Sequence, residues 1–271
     1  MGFAALLTTS HKCKMRLVIR VAGISIDQRD DGRRFARAVA DLVHDGHFLV
    51  VVHGQCAKVG PPAAVAGEGS NGNGNHVTEC TAFAAVEREN RILATLLSQQ
   101  NVTGIGLRAT DAGLVQLRKQ YIGNGKTGFR VEVAHMDPRW LEIICSNKGI
   151  PVLSNFSCWA GEDHLIDPDQ MAAACAASWN ADALIYMTEE NGVPGAHGGI
   201  LRWLEIGPTS ELQVEGLSDQ MRGRLEACAM ALRRGVRRVR ILPLSNVDCL
   251  PLFYFSPIEY GTEVIATIPR L

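Results

Sequence analysis

Runs of apolar residues alternate along this chain with segments in which apolar residues recur every three or four positions. Arg16–Val21 and Phe48–Val52 are apolar or β-branched runs, as expected of strands buried on both faces. Between them, Asp31–His44 carries its apolar residues at helical spacing. The same alternation continues to Val236–Leu242 and Gly261–Thr267. Because strands joined by helices form parallel sheets, the pattern predicts an α/β fold, a three-layer αβα sandwich around a mainly parallel sheet.

The remaining elements follow from the same reasoning. Helices are predicted over Glu79–Ser98 and Ser218–Arg233, from Asp137-Pro138 to near Gly149, and from Asp167-Pro168 to about Trp179. Strands are predicted over Val102–Leu107, Phe129–Ala134, Pro151–Ser154 and Ala183–Met187. In both Asp-Pro pairs the aspartate is the expected N-cap and the proline the first helical residue. We expect one continuous sheet with two functional halves divided near Gly149.

Composition narrows the function classes. The 271 residues are 46% hydrophobic and 20% charged, with a net charge of −1, which is typical of a soluble protein and not of a generic nucleic-acid-binding surface. No apolar run is long enough to cross a membrane, and Phe3–Leu6 is too short for a signal peptide. The eight cysteines form no C-x-x-C pair, so we expect free thiols in a reducing cytoplasm and no zinc site.

Glycine or polar residues follow several predicted strands, where parallel sheets bind their ligands. They include Ala22-Gly23, His53-Gly54-Gln55 and the loop before Asp167. Glycine lets backbone N–H groups approach a phosphate closely, and a helix N-terminus adds a favourable dipole. Each of these segments taken alone is equally compatible with an ordinary structural turn.

The order and spacing of such segments resemble those of the acetylglutamate kinases, in the amino-acid kinase family, from Arg16 to Ile265. Leu17–Gly23 resembles V-I-K-x-G-G, and Val50–Val59 resembles V-V-V-H-G-G-G-P-x-V. Ala183–Val193 resembles L-I-L-L-T-D-V-x-G-V, and Met221–Gly235 resembles G-G-M-x-P-K followed by a helix. The resemblance implies a single domain with the carbamate kinase-like fold over residues 1–271, with an acceptor-binding half over 15–148 and a nucleotide-binding half over 149–271.

The resemblance also implies a reaction. The γ-phosphoryl group of ATP would pass, with Mg²⁺, to the side-chain carboxylate of N-acetyl-L-glutamate or a related acceptor, as a step of arginine biosynthesis. Such a transfer needs alignment of the reactants and positive charge against the phosphoryl oxygens. A cytoplasmic homodimer that binds neither nucleic acid nor membrane is the implied form of the protein.

Three residues fall on catalytic positions of the resembled family. Asp169 matches the aspartate that organises two lysines, and Arg20 and Arg224 stand at the lysine positions. Arginine keeps the positive charge but presents it on a planar fork instead of a compact ammonium group. The alternative is that Asp169 is only a first-turn aspartate and that the arginines lie at the surface or at the edge of the core.

The predicted ligand-binding residues combine retained and altered positions. The resemblance assigns nucleotide or phosphate binding to Gly23, Gly54, Thr188 and Met221. It assigns acceptor binding to Gly54, Gln55, His76, Leu165 and Asp167, and it assigns no residue to a metal. His76 stands in place of an arginine, and Leu165 and Asp167 in place of asparagines. Asp167 has the alternative role of helix N-cap.

Three hypotheses therefore remain open at this point. The first is an active kinase for N-acetylglutamate or a related acceptor, supported by the order of the motifs and the charge at Arg20 and Arg224. The second is a catalytically impaired pseudokinase with a regulatory or assembly role, suggested by the replacements at Gln55, His76 and Leu165. The third is a sensor that binds a nucleotide or metabolite without catalysis.

Overall fold

The computed structural model describes residues 14–22, 29–54, 73–121, 129–195, 198–207, 216–252 and 260–267, with backbone alone at 29, 73–81, 129–130 and 252. Its strands are β1 (Arg16–Val21), β2 (Phe48–His53), β3 (Thr103–Arg108), β4 (Val115–Tyr121), β5 (Phe129–Met136), β6 (Gly149–Ser154), β7 (Phe156–Trp159), β8 (Glu162–Leu165), β9 (Ala183–Thr188), β10 (Trp203–Ile206), β11 (Arg238–Pro243) and β12 (Thr262–Ala266). The α-helices are α1 (Arg29–His44), α2 (Asn73–Ser98), α3 (Arg139–Ser146), α4 (Pro168–Ser178) and α5 (Asp219–Arg233). Short 3₁₀ helices cover Asp111–Gly113 and Leu244–Leu252.

An eight-stranded sheet in the order β10-β12-β11-β9-β1-β2-β6-β3 forms the middle of the fold. Its neighbouring strands are parallel except for β11 and β12, which are antiparallel. The parallel strands β1, β2, β6, β9 and β11 therefore end at one edge of the sheet. The prediction of a mainly parallel sheet is confirmed.

Helices cover both faces of this sheet, because side chains along each strand alternate between them. Val18 belongs to the core cluster that includes residues of α3, α4 and α5, whereas Leu17 and Ile19 belong to the cluster that includes residues of α1 and α2. Nearly continuous burial along β1, β2, β6 and β9 follows from having helices on both sides. The three-layer arrangement agrees with the sequence-based expectation.

Strands from the two predicted halves mix within this single sheet. β6, which begins the predicted nucleotide-binding half, lies between β2 and β3 of the other half. The functional division near Gly149 stays a prediction, since the sheet runs through both halves. No helix among the described residues has the length and apolar character needed to cross a membrane.

Two antiparallel hairpins lie outside the main sheet, and of their four strands only β5 was predicted from the sequence, as Phe129–Ala134. One pairs β4 with β5 and the other pairs β7 with β8. The prediction of Asp137 as an N-cap was also wrong: Pro138 occupies the cap position without a capping side chain, and the helix runs over Arg139–Ser146. The Asp137 carboxylate instead accepts hydrogen bonds from the N–H and the guanidinium of Arg139.

Candidate active site

Arg20 is the next-to-last residue of the central strand β1, and its side chain is 2% exposed. It lies two positions after Val18 and therefore points to the face covered by α3, α4 and α5. The Nε atom of Arg20 lies 2.7 Å from Oδ1 of Asp169, a contact that is an ion pair but not a well-aligned hydrogen bond. The sheet thus brings a buried cation to the edge where ligands bind in such folds.

Asp169 lies in the first turn of α4, and its side chain is 4% exposed. Asp167 caps this helix, because its Oδ1 atom accepts hydrogen bonds from the N–H groups of Asp169 and Gln170, both at 2.9 Å. The Tyr186 hydroxyl, from the strand beside β1, donates to the backbone carbonyl of Asp169 at 3.0 Å. The dipole of α4 stabilises the Asp169 carboxylate, and these contacts hold it in place.

Arg224, in α5, contacts the same carboxylate from the other side. Its Nε donates to Oδ2 of Asp169 and its Nη1 to Oε2 of Glu190, each at 3.0 Å. Burial lowers the pKa of Arg224, but the charges of Asp169 and Glu190 outweigh it and leave the pKa above its ordinary value. The Nη2 atom is buried and has no hydrogen-bond partner among the described residues.

Asp169 therefore joins two guanidinium groups that come from distant parts of the chain. The side chains of Arg20, Asp169 and Arg224 are each at most 4% exposed, so their electrostatic interactions are poorly screened by water. Such an arrangement fixes cationic donors before a ligand arrives, which is what stabilisation of phosphoryl charge requires. The alternative that these arginines lie at the surface is wrong.

A second polar group supports the end of β2. The amide nitrogen of Asn90 donates to the carbonyl of Val152 at 2.8 Å and lies 2.9 Å from Nε2 of His53. Since the Val152 carbonyl can only accept, the amide orientation is fixed and Nε2 of neutral His53 is the acceptor. The Nδ1–H group then faces Glu89, whose Oε2 lies 3.7 Å away. This network anchors the residue that precedes Gly54.

Gly54 has a φ of +146°, and a Cβ atom there would lie 2.0 Å from Oδ1 of Asn155. Asn155 itself is buried and donates to the Ile166 carbonyl, so its side chain has little freedom to move away. The turn after β2 therefore requires glycine for both its backbone conformation and its space. It brings the end of β2 against the segment that leads into α4.

The other predicted ligand-binding residues occupy separate places. Thr188 ends β9, is buried and donates its hydroxyl to the Glu190 carbonyl at 3.0 Å. Met221 is buried in the first turn of α5, and its N–H donates to the Ser218 hydroxyl that caps the helix. Leu165 ends β8, next to the segment that leads to Asp167. Gly23, Gln55 and the side chain of His76 lie outside the described residues.

Two residues that contact the buried cluster of Arg20, Asp169 and Arg224 were missed by the sequence analysis. Glu190 follows a predicted strand, where a glutamate reads as an ordinary solvated loop residue. Tyr186 reads as one more core residue of that strand. A signal for Glu190 was available: its position corresponds to the valine of the resembled L-I-L-L-T-D-V-x-G-V segment, and a new carboxylate needs a partner when it lies near a core.

No group of three or more His, Cys, Asp or Glu side chains in the described ranges has an arrangement suited to a metal ion. Both oxygens of Asp169 are within 3.0 Å of arginine nitrogens. The Asp169 carboxylate is therefore engaged by arginines and not free for a divalent cation, and Mg²⁺ in proteins commonly takes several of its ligands from substrate phosphates.

Comparison with known proteins identifies the family. Residues 15–243 match the model of the amino acid kinase family. This chain belongs to the amino acid kinase family. The chain is 37% identical over 261 residues to a protein named acetylglutamate kinase of Acidobacterium capsulatum, an alignment that covers 93% of this chain and all of that protein. It is 33% identical over 262 residues to one of Koribacter versatilis, covering 94% and 100%.

The fold of this amino acid kinase is also found in solved structures of other proteins. An N-acetylglutamate synthase from Neisseria gonorrhoeae superposes with a TM-score of 0.70 at 18% identity, over 94% of this chain. The chain spans 60% of the length of that synthase. At this low identity the likeness shows the fold alone.

Proposed function

We propose that this amino acid kinase is an acetylglutamate kinase that transfers the γ-phosphoryl group of ATP to the side-chain carboxylate of N-acetyl-L-glutamate, in arginine biosynthesis. The names of the two relatives at 37% and 33% identity support this substrate, since each aligns over more than nine-tenths of the chain. The observation that carries the proposal is the meeting of Arg20 and Arg224 at Asp169. A site for phosphoryl transfer needs such fixed positive charge.

In the proposed reaction, an oxygen of the acceptor carboxylate forms a bond to the γ-phosphorus as the bond to the bridging oxygen of ATP breaks. ADP and an acyl phosphate are the products, and the enzyme forms no covalent intermediate. Arg20 and Arg224 stabilise the negative charge on the phosphoryl oxygens, and Asp169 holds the two guanidinium groups in place. Mg²⁺, where it accompanies ATP, would supply additional positive charge against the phosphates.

The ligand-binding residues have proposed roles within the same reaction. Gly23, Gly54, Thr188 and Met221 contribute to nucleotide and phosphate binding, and Gln55, His76, Leu165 and Asp167 contribute with Gly54 to acceptor binding. The requirement for glycine at position 54 supports a close backbone approach there. The cap that Asp167 places on α4 supports an indirect role for it, because the cap orients Asp169.

A cytoplasmic homodimer is the proposed form of the enzyme. Trp140 and Ile143 are 45% and 51% exposed and lie three positions apart on α3. A dimer interface on this helix would bury both side chains. Light scattering of the purified protein, compared with the W140E variant, measures the oligomeric state and tests this face.

The reaction is tested by the products formed from ATP and N-acetyl-L-glutamate. ADP release is measured with a coupled assay, and hydroxylamine traps an acyl phosphate as its hydroxamate. N-acetyl-L-aspartate, which is one methylene shorter, and the mixture without acceptor are the controls. Formation of ADP and hydroxamate with N-acetyl-L-glutamate supports the proposal, and absence of both products in the presence of bound ATP would instead support a pseudokinase.

A further inference from the structure

Glu190 lies in the loop that follows β9, at the rim of the buried arginine cluster. Its side chain is 38% exposed, whereas that of Arg224, its partner, has no exposed surface. The Thr188 hydroxyl donates to the backbone carbonyl of Glu190 and so holds this turn. The carboxylate therefore reaches from a fixed backbone position at the surface to a guanidinium in the interior.

The guanidinium of Arg224 is planar, and its three nitrogens keep a fixed relation to one another. Asp169 accepts from Nε, and Glu190 accepts from Nη1. Two acceptors on different nitrogens fix both the place of the group and the rotation of its plane. An ammonium group has a single nitrogen and no plane to orient, so a lysine at this position would have no need of the second acceptor.

The third nitrogen, Nη2, is buried and has no hydrogen-bond partner in the described part of the chain. A buried charged donor without an acceptor is unfavourable. A phosphoryl oxygen would satisfy it with a charge-assisted hydrogen bond. The contacts of Asp169 and Glu190 thus leave both N–H groups of Nη2 without an acceptor among the described residues, and they fix the direction in which these groups point.

We propose that Glu190 is a positioning residue, which orients the Arg224 guanidinium so that Nη2 donates to the phosphoryl group in transfer. This inference rests on the proposed kinase function. Glu190 acts through Arg224 and makes no contact with the reacting atoms. This role explains why a carboxylate accompanies an arginine at this place. A planar cation must be held in one orientation, and the contact between Glu190 and Arg224 provides the second point that fixes it.

Steady-state kinetics of E190A and E190Q test this role. In E190A the loss of orientation is expected to lower kcat about tenfold or more, with the KM for ATP changed less than about threefold. In E190Q the amide oxygen still accepts from Nη1, and kcat is expected within about threefold of wild type. E226A removes an exposed glutamate of the same helix as Arg224 and is the control, with unchanged kinetics expected.

The effect of E190A, measured again in the R224K variant, distinguishes orientation of the guanidinium from a general effect of the Glu190 carboxylate on kcat. Because lysine has no plane to orient, E190A is expected to change kcat less than about twofold in that background. An equal loss in both backgrounds would overturn the inference. So would a rise in activity or a lower KM for ATP in both E190A and E190Q, since Glu190 would then compete with the phosphates for Arg224.

A crystal structure of E190A gives a readout that does not depend on turnover. The Arg224 plane is expected to rotate about the Cδ–Nε bond or to occupy more than one orientation, and an unchanged single orientation overturns the positioning role. If the wild-type protein forms no ADP with N-acetyl-L-glutamate, the proposed function fails on its own. The crystal structure then still decides whether Glu190 sets the orientation of Arg224.

Discussion

The Nε atom of Arg20 lies 2.7 Å from Oδ1 of Asp169, although one residue lies near the end of the first strand and the other in the first turn of the fourth helix. The second oxygen of the same carboxylate lies 3.0 Å from Nε of Arg224. One buried carboxylate thus fixes the positions of two guanidinium groups. Substitutions at Asp169 are expected to affect the stability of the fold as well as the reaction.

Replacing Asp169 with asparagine leaves two buried guanidinium groups without their shared counter-charge. The D169N variant is expected to lose about 3–5 kcal/mol of the free energy of unfolding, because uncompensated buried charge is costly. Urea unfolding measures this loss. D248N is the matched control: it removes an exposed carboxylate that pairs with Arg34, and a change below about 1 kcal/mol is expected. Equal effects of the two variants would contradict a stabilising role for the buried network.

Replacing Arg20 with methionine separates its charge from its volume. Asp169 keeps its contact with Arg224, so R20M is expected to fold, as circular dichroism would check. Its kcat is expected to fall about 10²–10³-fold through the loss of one fixed donor for phosphoryl charge. R118M, at an exposed arginine of β4, is the control and should keep its activity. An R20M enzyme with kcat near that of wild type would exclude Arg20 from phosphoryl transfer.

Replacing Gly54 with alanine tests the turn after β2. The new Cβ atom would lie 2.0 Å from Oδ1 of Asn155, at a φ of +146°. We expect a loss of more than about 2 kcal/mol in the free energy of unfolding, combining backbone strain with steric overlap. At Gly113, φ is +71° and nothing lies within 4 Å of an added Cβ atom. G113A therefore measures strain alone, and equal losses in the two variants would exclude the overlap with Asn155.

Elements with strong periodicity and clear end signals were predictable from the sequence. The bounds of β1 are those predicted, and α4 has the predicted Asp167 cap and Pro168 at its first turn. Burial on both faces makes a strand a continuous apolar run, and a cap places its helix to within a residue. Such signals depend on neighbouring residues only.

The strand β4 and the contacts around Asp169 have no such local signal. β4 (VQLRKQY) is mostly polar and partly exposed, so it lacks the apolar pattern of a core strand. The pairing of Glu190 with Arg224 joins residues that are distant along the chain, and no local pattern specifies it. Sequence comparison indicated that Arg20 and Arg224 occupy charged positions, but only the fold shows that both reach Asp169.

The buried cysteines are expected to resist modification. Burial raises the pKa of Cys145 to about 12, so about one thiol in 10⁴ is ionised at pH 8, and burial also raises the pKa of Cys175 and Cys228. Iodoacetamide at pH 8, followed by peptide mass spectrometry, should modify exposed Cys158 and spare these three until urea is added. Modification of Cys145 at the rate of Cys158 would show that α3 opens readily.

The same pKa shifts predict how stability depends on pH. The folded state holds the Cys145 proton more tightly than the unfolded chain does, so ionisation favours unfolding. The stabilising contribution is complete below the ordinary thiol pKa of 9.0 and decreases as the pH rises toward about 12. Urea unfolding of wild type and C145A from pH 8 to 11 should show a smaller decrease in C145A. Parallel curves would indicate that Cys145 titrates alike in both states.

Asp167 caps α4 and is also proposed to bind the acceptor, and two substitutions separate these roles. Its carboxylate accepts from the N–H groups of Asp169 and Gln170, so D167A is expected to lose about 1 kcal/mol of the free energy of unfolding, while D167S restores a capping oxygen and the stability. Urea unfolding measures both, and a D167S variant as unstable as D167A would contradict capping. The KM for N-acetyl-L-glutamate in D167S then isolates the acceptor-binding role. If the carboxylate contacts the acceptor, that KM rises even though the cap is intact; if Asp167 only begins the helix that carries Asp169, it stays unchanged.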